Sequence, residues 1–311
     1  MALLSRVADH IYWAARNLER AEDTARLVRA FQDLFADLPI PDEQVNGLWS
    51  TLAVVAGDSP SDLGEAGVVR LLVTDRDRSS SVVYNVTAAR DNLRSTREVL
   101  PREAWQLLND LWLTVTRDAD RAVERHFRGR LLNRVIADSR GMDGVLNSTM
   151  NRDAAFEMWR LGRYVERADM TTRVVGVRAA SLMRTAPREG REYDEVQWMS
   201  VLRSLSAHQM FQRSTRNAIT GTGVVRFLLY DRRFPRSVAA ALDEIEVSLA
   251  RLPANSVVME RLAEARSVLR STAPSATDGS NLDMAMERVQ IAIATLDVAI
   301  TNRYLRLDST E

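Results

Sequence analysis

The chain has 311 residues with 42 acidic and 42 basic side chains, so its balanced charge offers no strong field for nucleic acid or a membrane surface. It contains no cysteine, and all of its basic residues are arginine because lysine does not occur. These two absences exclude a catalytic cysteine, a lysine Schiff base, a phosphate-loop lysine, disulfides and cysteine metal sites.

The first half is predicted to be a series of helices separated by prolines and small polar residues. Over residues 2–35, apolar side chains recur at steps of three and four, which predicts one long amphipathic helix: Leu4, Val7, Ile11, Ala14, Leu18, Ala21, Ala25 and Val28. Because much of this stripe is alanine, a partner helix is expected to pack closely against it. Further helices are predicted at residues 42–56, 68–73, 81–99, 101–125 and 127–136, followed by an irregular joint from Gly141 to Met150.

The second half is predicted to follow the same plan. A second long helix over residues 152–184 is indicated by another stripe: Leu161, Val165, Ala168, Thr172, Val175, Ala179 and Leu182. Asn151 is the expected cap at its start. Helical segments are then predicted at residues 194–219, 238–251, 256–271 and 282–306, with loops at 187–190 and 275–280. No segment alternates with the period of a strand, so the predicted fold class is an all-α helical bundle.

Two motifs occur twice and in the same order. The segment from Arg16 to Glu22, Arg-Asn-Leu-Glu-Arg-Ala-Glu, returns from Arg163 to Asp169 as Arg-Tyr-Val-Glu-Arg-Ala-Asp, at an offset of 163 − 16 = 147. The segment from Gly67 to Arg76 returns from Gly223 to Arg232, at an offset of 226 − 70 = 156. We interpret the chain as a tandem duplication whose halves are related by a pseudo-twofold axis and pack as one globular unit. The two repeats are residues 1–150 and 151–311.

The repeated Glu-Arg segments lie off the apolar stripe, on the face that solvent normally covers. Ion pairs along one helix are worth only about 0.2–0.5 kcal/mol each, too little to account for a segment present in both halves. Trp13 and Trp159 stand close to the two segments and suggest that this second face is partly buried. One interpretation is a buried charge network that fixes the docking of the two helices. The other is a polar cavity in which four arginines bind an anionic ligand: Arg16, Arg20, Arg163 and Arg167.

A second polar cluster occurs in the first half only. Arg90 and Arg94 are replaced by Glu246 and Ala250 at the 156 offset. On a continuous helix Arg90, Arg94 and Arg97 share one face, and with Asn92 nearby they can hold a carboxylate or phosphate. An exposed basic face is the other interpretation of the same spacing.

Metal sites and membrane segments are not expected. The three histidines, His10, His126 and His208, have no metal-ligand spacing, and neither Glu19 nor Glu166 has a histidine three residues later, as a di-iron bundle requires. The start of the chain lacks the basic and apolar regions of a secretion signal, and no run reaches the roughly 18 apolar residues of a membrane span. A cytoplasmic protein is therefore expected.

The combination of these motifs resembles a known family. The twin Glu-Arg segments, Ala89-Arg90-Asp91-Asn92, Thr149-Met150-Asn151-Arg152-Asp153 and Phe234-Pro235-Arg236-Ser237 together are similar to the bacterial alpha-E family over essentially the full length. Leu93 departs from the small residue expected there. Members of that family tend to be encoded beside, or fused to, a circularly permuted ATP-grasp protein, often near a transglutaminase-like protein.

The resemblance implies a part in an ATP-dependent amide-forming or peptide-modifying system. This chain has no glycine-rich phosphate loop and no lysine for a nucleotide, so no cofactor is expected on it, and ATP and Mg²⁺ are expected on the partner. The leading hypothesis is a non-catalytic partner of an ATP-grasp ligase that presents a carboxylate or peptide substrate. The alternative is an enzyme of amide transfer or hydrolysis with Glu19 or Glu166 as general base. A purely structural scaffold is the third hypothesis.

Overall fold

The computed structural model describes residues 4–37, 42–58, 63–179, 182, 191–215, 218–272 and 279–306. Within these ranges the regular structure is entirely helical, which confirms the predicted all-α class. The helices are α1 Ser5–Asp37, α2 Asp42–Val55, α3 Glu65–Val69, α4 Val82–Arg94, α5 Arg102–Asp118, α6 Arg125–Thr149, α7 Ala154–Arg173, α8 Arg191–Ser204, α9 His208–Ser214, α10 Gly221–Tyr230, α11 Val238–Leu249, α12 Ser256–Ser271 and α13 Gly279–Ile300. Helices α3, α7 and α13 continue into π-helical turns at Arg70–Thr74, Val174–Ala179 and Thr301–Leu305.

Helices α1 and α7 form the centre of the molecule and pack against each other. Their contact is close because the residues at the crossing are small: Ala15 of α1 meets Gly162 of α7. A Cβ atom added to Gly162 would lie 3.0 Å from the Cβ of Ala15, and closer still to the backbone carbonyl oxygen of Tyr12. Close packing of α1 is therefore found as predicted, although Ala15 at this contact lies next to the predicted stripe and does not belong to it.

Each central helix forms a set of four helices with three others. Helix α1 packs against α4 and α6, and α5 contacts both of these. Helix α7 packs against α11 and α13, and α12 contacts both of these. One continuous apolar core runs through the two sets. The order of packing is the same in each, as the duplication hypothesis expects, although the duplication itself stays an inference from the sequence.

The irregular joint predicted from Gly141 to Met150 is wrong, because α6 continues through it to Thr149. A glycine within a helix costs only about 1 kcal/mol relative to alanine. Here the apolar stripe continues past the glycines, with Met142 and Leu146 buried. Burial of that stripe outweighs the weak helix propensity of the two glycines, so the separate helix predicted at 127–136 is one part of α6.

Several predicted boundaries also need correction. The helix predicted over residues 81–99 ends at Arg94, and Arg97 lies in a 3₁₀ turn beyond it, so Arg97 does not extend the helical face. The helix predicted over 101–125 ends at Asp118 and is followed by a 3₁₀ turn, and the segment predicted over 194–219 is divided between α8 and α9.

The entry to α7 has a different cap from the one predicted. The carboxylate of Asp153, and not Asn151, accepts the backbone N–H groups of Ala155 and Phe156 at 3.0 and 3.2 Å. Helix α13 begins at Gly279, inside the predicted loop, while the rest of that loop and residues 187–190 lie outside the described residues. No described helix has the length and apolar character needed to cross a membrane.

Replacing Gly162 by alanine is expected to destabilise the fold by about 1–3 kcal/mol, because the new methyl group meets the Tyr12 backbone at the helix crossing. Urea unfolding measures the change. Gly144→Ala is the matched control, since its Cβ would enter open space and alanine favours a helix by up to about 1 kcal/mol. Equal effects of the two substitutions would show that the crossing is not tight.

Candidate functional site

The two Glu-Arg segments bind each other across the centre of the molecule. Glu19 of α1 accepts hydrogen bonds from the guanidinium groups of Arg163 and Arg167 of α7, at 2.8–3.1 Å. In the opposite direction, Glu166 accepts hydrogen bonds from Arg16 and Arg20, at 2.5–2.9 Å. These side chains are called the clasp below: Arg16, Glu19, Arg20, Arg163, Glu166 and Arg167. The predicted buried network is therefore present.

Further carboxylates hold the outer nitrogens of two clasp arginines. The Nη1 atom of Arg16 lies 2.6 Å from the carboxylate of Asp297 on α13. The Nη1 atom of Arg163 likewise contacts the carboxylate of Asp143 on α6. Since α6 and α13 are the last helices of the two sets, charge as well as apolar packing determines which helices surround α1 and α7.

Both clasp glutamates are only 1% exposed. Burial by itself raises the pKa of a glutamate, because the charged form loses its hydration. The guanidinium groups of Arg167, Arg163 and Arg236 overcome this and hold the pKa of Glu19 well below its ordinary value. Arg20 and Arg16 likewise lower the pKa of Glu166 against the effect of burial. Each glutamate is thus a carboxylate with bonded oxygens, which makes it a poor general base.

On the Glu19 side, the clasp continues into a filled, buried cluster. Arg236 enters from the turn before α11 and places its Nη1 atom 2.5 Å from Asp23. Its Nη2 atom lies 3.2 Å from Glu19 and 3.5 Å from Glu22. Arg26 also pairs with Glu22 and Asp23. Burial raises the pKa of Asp23 to about 7, against the lowering effect of Arg236.

On the Glu166 side, the corresponding space is open. A cavity of about 150 Å³ lies beside the clasp and is bordered by Arg20, Ala56, Gly57, Ser79, Glu166, Asp169, Met170 and Arg173. The side chains of Arg20 and Arg173 are 22% and 34% exposed, so solvent reaches the cavity. Arg173 donates a hydrogen bond of 2.9 Å to Asp169. Among the four arginines predicted to bind an anion, Arg20 is the one that borders this cavity.

The second predicted cluster lies away from the clasp. The guanidinium group of Arg90 packs over the ring of Trp112 at 4.1 Å and donates to Asn109 at 3.3 Å. Asn92 contributes its backbone carbonyl, 3.2 Å from His10. Arg94 is exposed on the surface. Arg90 and Arg94 thus lie four residues apart on α4, but Arg90 is held against α5 while Arg94 is exposed.

Sequence reasoning missed four of the side chains that complete the clasp: Asp143, Asp297, Arg236 and Asp23. A signal for Arg236 existed, because it belongs to the Phe-Pro-Arg-Ser segment that contributes to the family resemblance. Asp143 and Asp297 lie 154 residues apart, near the repeat offsets, and this spacing was the signal available for them. In the part of the chain that the structure describes, no group of three or more His, Cys, Asp or Glu residues is placed to hold a metal ion.

The family follows from a comparison of the whole chain. The family model called Alpha-E, described as a predicted alpha-helical domain with a conserved Glu-Arg motif, matches residues 3–305. The chain belongs to the Alpha-E family. In this Alpha-E protein the Glu-Arg pairs of the two repeated segments are Glu19-Arg20 and Glu166-Arg167, and both pairs lie in the clasp.

The Alpha-E protein also matches longer curated proteins. It is 23% identical over 272 residues to uncharacterized proteins of Mycobacterium bovis and Mycobacterium tuberculosis. The match covers 81% of this chain but only 30% of each relative. No solved structure matches the chain with significance.

Glu19→Gln is expected to destabilise the protein by about 3–5 kcal/mol, because it leaves Arg163, Arg167 and Arg236 without their shared carboxylate. Chemical unfolding monitored by circular dichroism measures the loss. Glu264→Gln removes an exposed partner of Arg261 and is expected to change stability far less, since solvent screens that pair. A loss for Glu19→Gln as small as that of the control would contradict a stabilising clasp.

Stability is expected to reach a maximum at mildly acidic pH. The pKa of Asp23 is raised from 3.8 to about 7, so the folded state binds the additional proton and its contribution grows as pH falls through this window. The pKa values of Glu19 and Glu166 lie below the ordinary value of 4.5, so their contribution is lost as pH falls further.

The variant Asp23→Asn isolates the first of these effects. The free energy of unfolding of the wild type minus that of the variant is expected to rise by about 2 kcal/mol from pH 7 to pH 5. Urea titrations across this range measure it. A difference that is constant with pH would contradict the raised pKa.

Proposed function

We propose that this Alpha-E protein is a non-catalytic subunit that docks an ATP-grasp-type amide ligase and presents a carboxylate or peptide substrate to it. The proposal rests on one observation: the two glutamates of the clasp are already hydrogen-bonded to arginines of the same chain. Glu19 and Glu166, the candidate bases, have bonded oxygens and lowered pKa values. An accessory role therefore fits the site better than catalysis by this chain, for which a free base would be needed.

The outer face of α13 offers a docking surface. Met284, Ile291 and Val298 recur at seven-residue spacing on this helix and are 54–59% exposed. Val257 of α12 is also exposed, and it borders a groove of about 580 Å³ that Val298 lines from the other side. A run of exposed apolar side chains on a helix is typical of a protein interface. We call Met284, Ile291, Val298 and Val257 the apolar strip.

The architecture of the relatives also supports a partner. The matched segment is 30% of each mycobacterial protein, so most of each of those chains lies outside the segment that matches. A fused second module is one form of the association that we propose for two separate chains. ATP and Mg²⁺ then belong to the ligase, since this sequence lacks lysine and a glycine-rich phosphate loop. A transglutaminase-like protein is a further candidate partner.

Native mass spectrometry of the protein mixed with an ATP-grasp-type ligase from the same organism tests the proposal. We expect a complex with the wild type and its loss in Ile291→Glu/Val298→Glu, because two carboxylates cannot be desolvated in an apolar interface. Both side chains are exposed, so the variant should keep its circular dichroism and melting temperature.

The matched control is Val247→Glu, which introduces the same charge at an exposed valine on α11. It should leave the complex intact. If the wild type forms no complex, the partner role fails. Turnover of an amide substrate by the isolated chain would instead support the enzyme hypothesis.

A further inference from the structure

The cavity beside Glu166 has a filled counterpart within the same molecule. At the 147 offset, its lining residues Arg20, Glu166, Asp169, Met170 and Arg173 correspond to residues of the Glu19 side: Arg167, Glu19, Glu22, Asp23 and Arg26. Those five residues surround the guanidinium group of Arg236 or pair with the carboxylates that it contacts. The two spaces are therefore built from equivalent positions, and one of them contains a cation.

The sequence explains why the second space is open. Arg236 lies in the turn before α11, and subtraction of the 156 offset places Ser80 at the equivalent position before α4. Serine is too short to reach the clasp, and its hydroxyl instead contacts Asp58. Its neighbour Ser79 borders the cavity. The side chain that fills one space is thus missing from the other.

The acceptors for a cation remain in place. Glu19 Oε1 accepts from Arg167 Nε at 2.8 Å and is also approached by Arg236. Its counterpart, Glu166 Oε1, accepts from Arg20 Nε at 2.5 Å, and Glu166 lines the cavity. A carboxylate oxygen has lone pairs for more than one donor. Asp169 supplies a second carboxylate, where Glu22 stands on the filled side.

We infer that the cavity beside Glu166 and Asp169 binds the guanidinium group of a ligand, in the way that the space beside Glu19 and Glu22 holds Arg236. The volume of about 150 Å³ admits such a group together with part of its stem. Planar N–H donors match the two carboxylates as a fork, which an ammonium group does less well. The role of this guanidinium group as the anchor of a presented peptide rests on the proposed function. Its binding can be measured on the isolated protein without a partner.

Isothermal titration of the folded protein with N-acetyl-arginine amide tests the inference, with N-acetyl-citrulline amide as the uncharged isostere. Saturable binding of the arginine probe, at least about tenfold tighter than the citrulline probe, is the expected result. No saturable binding, or equal binding of the two probes, overturns the inference. Titration with free arginine then distinguishes two kinds of ligand. If free arginine binds more tightly than N-acetyl-arginine amide, the ligand is a free amino acid, and if it binds more weakly, the ligand is an arginine side chain of a peptide.

Three variants locate the site. Asp169→Asn should weaken binding about tenfold or more, because it removes one carboxylate. Met170→Asp should strengthen binding, because it restores the carboxylate that Asp23 provides on the filled side. Ser80→Arg places a guanidinium group at the position equivalent to Arg236 and should prevent binding. Arginine binding that all three folded variants leave unchanged would place the ligand elsewhere and overturn the inference.

Binding of the probe and binding of the ligase can fail separately. The titration contains no partner protein, whereas the native mass spectrometry reports on the apolar strip of α12 and α13. A complex without arginine binding would remove the guanidinium site and leave the accessory role intact. Arginine binding without a complex would keep the site and remove the partner.

Discussion

The structure depends on a set of charges that are almost removed from water. Burying a single carboxylate or guanidinium group costs several kcal/mol, and this cost is offset only when each charge meets well-placed partners. Here each glutamate meets two arginines from the opposite helix, and Asp143 and Asp297 bind the Nη1 atoms of Arg163 and Arg16. Helices α1 and α7 therefore cannot separate or slide without leaving several charges unpaired. The two sets of four helices are arranged around this constraint.

The same set of residue types supports two different local structures. Around Glu19, an internal arginine completes the charges, and the region contributes to stability. Around Glu166, the equivalent space is reached by solvent and keeps its carboxylates. The filled side holds a guanidinium group between its carboxylates. The equivalent carboxylates on the open side are therefore suited to the same kind of group. The contacts of Arg236 around Glu19 thus indicate the type of group that the space around Glu166 can bind.

Local features of the structure were predictable from the sequence, and most distant contacts were not. Apolar side chains spaced three and four residues apart indicated the long helices. The repeated Glu-Arg segments indicated that each of the two long helices carries a polar face. Gly141 suggested a break because local propensity is visible in sequence, whereas the burial of Met142 that overrides it depends on how α6 packs against other helices. Arg236 and Asp23 are 213 residues apart, and no local pattern relates them.

Each half of the clasp is complementary to itself, since it contributes two arginines and the glutamate that such arginines bind. Two identical copies of one half can therefore form an isologous twofold interface with the same contacts. A symmetric dimer of that kind must carry the same residue at both equivalent positions, so both spaces would be filled or both open. Joining the copies in one chain removes this restriction. Arginine at position 236 and serine at position 80 are an asymmetry that covalent linkage permits, and it separates one stabilising space from one space that is accessible to a ligand.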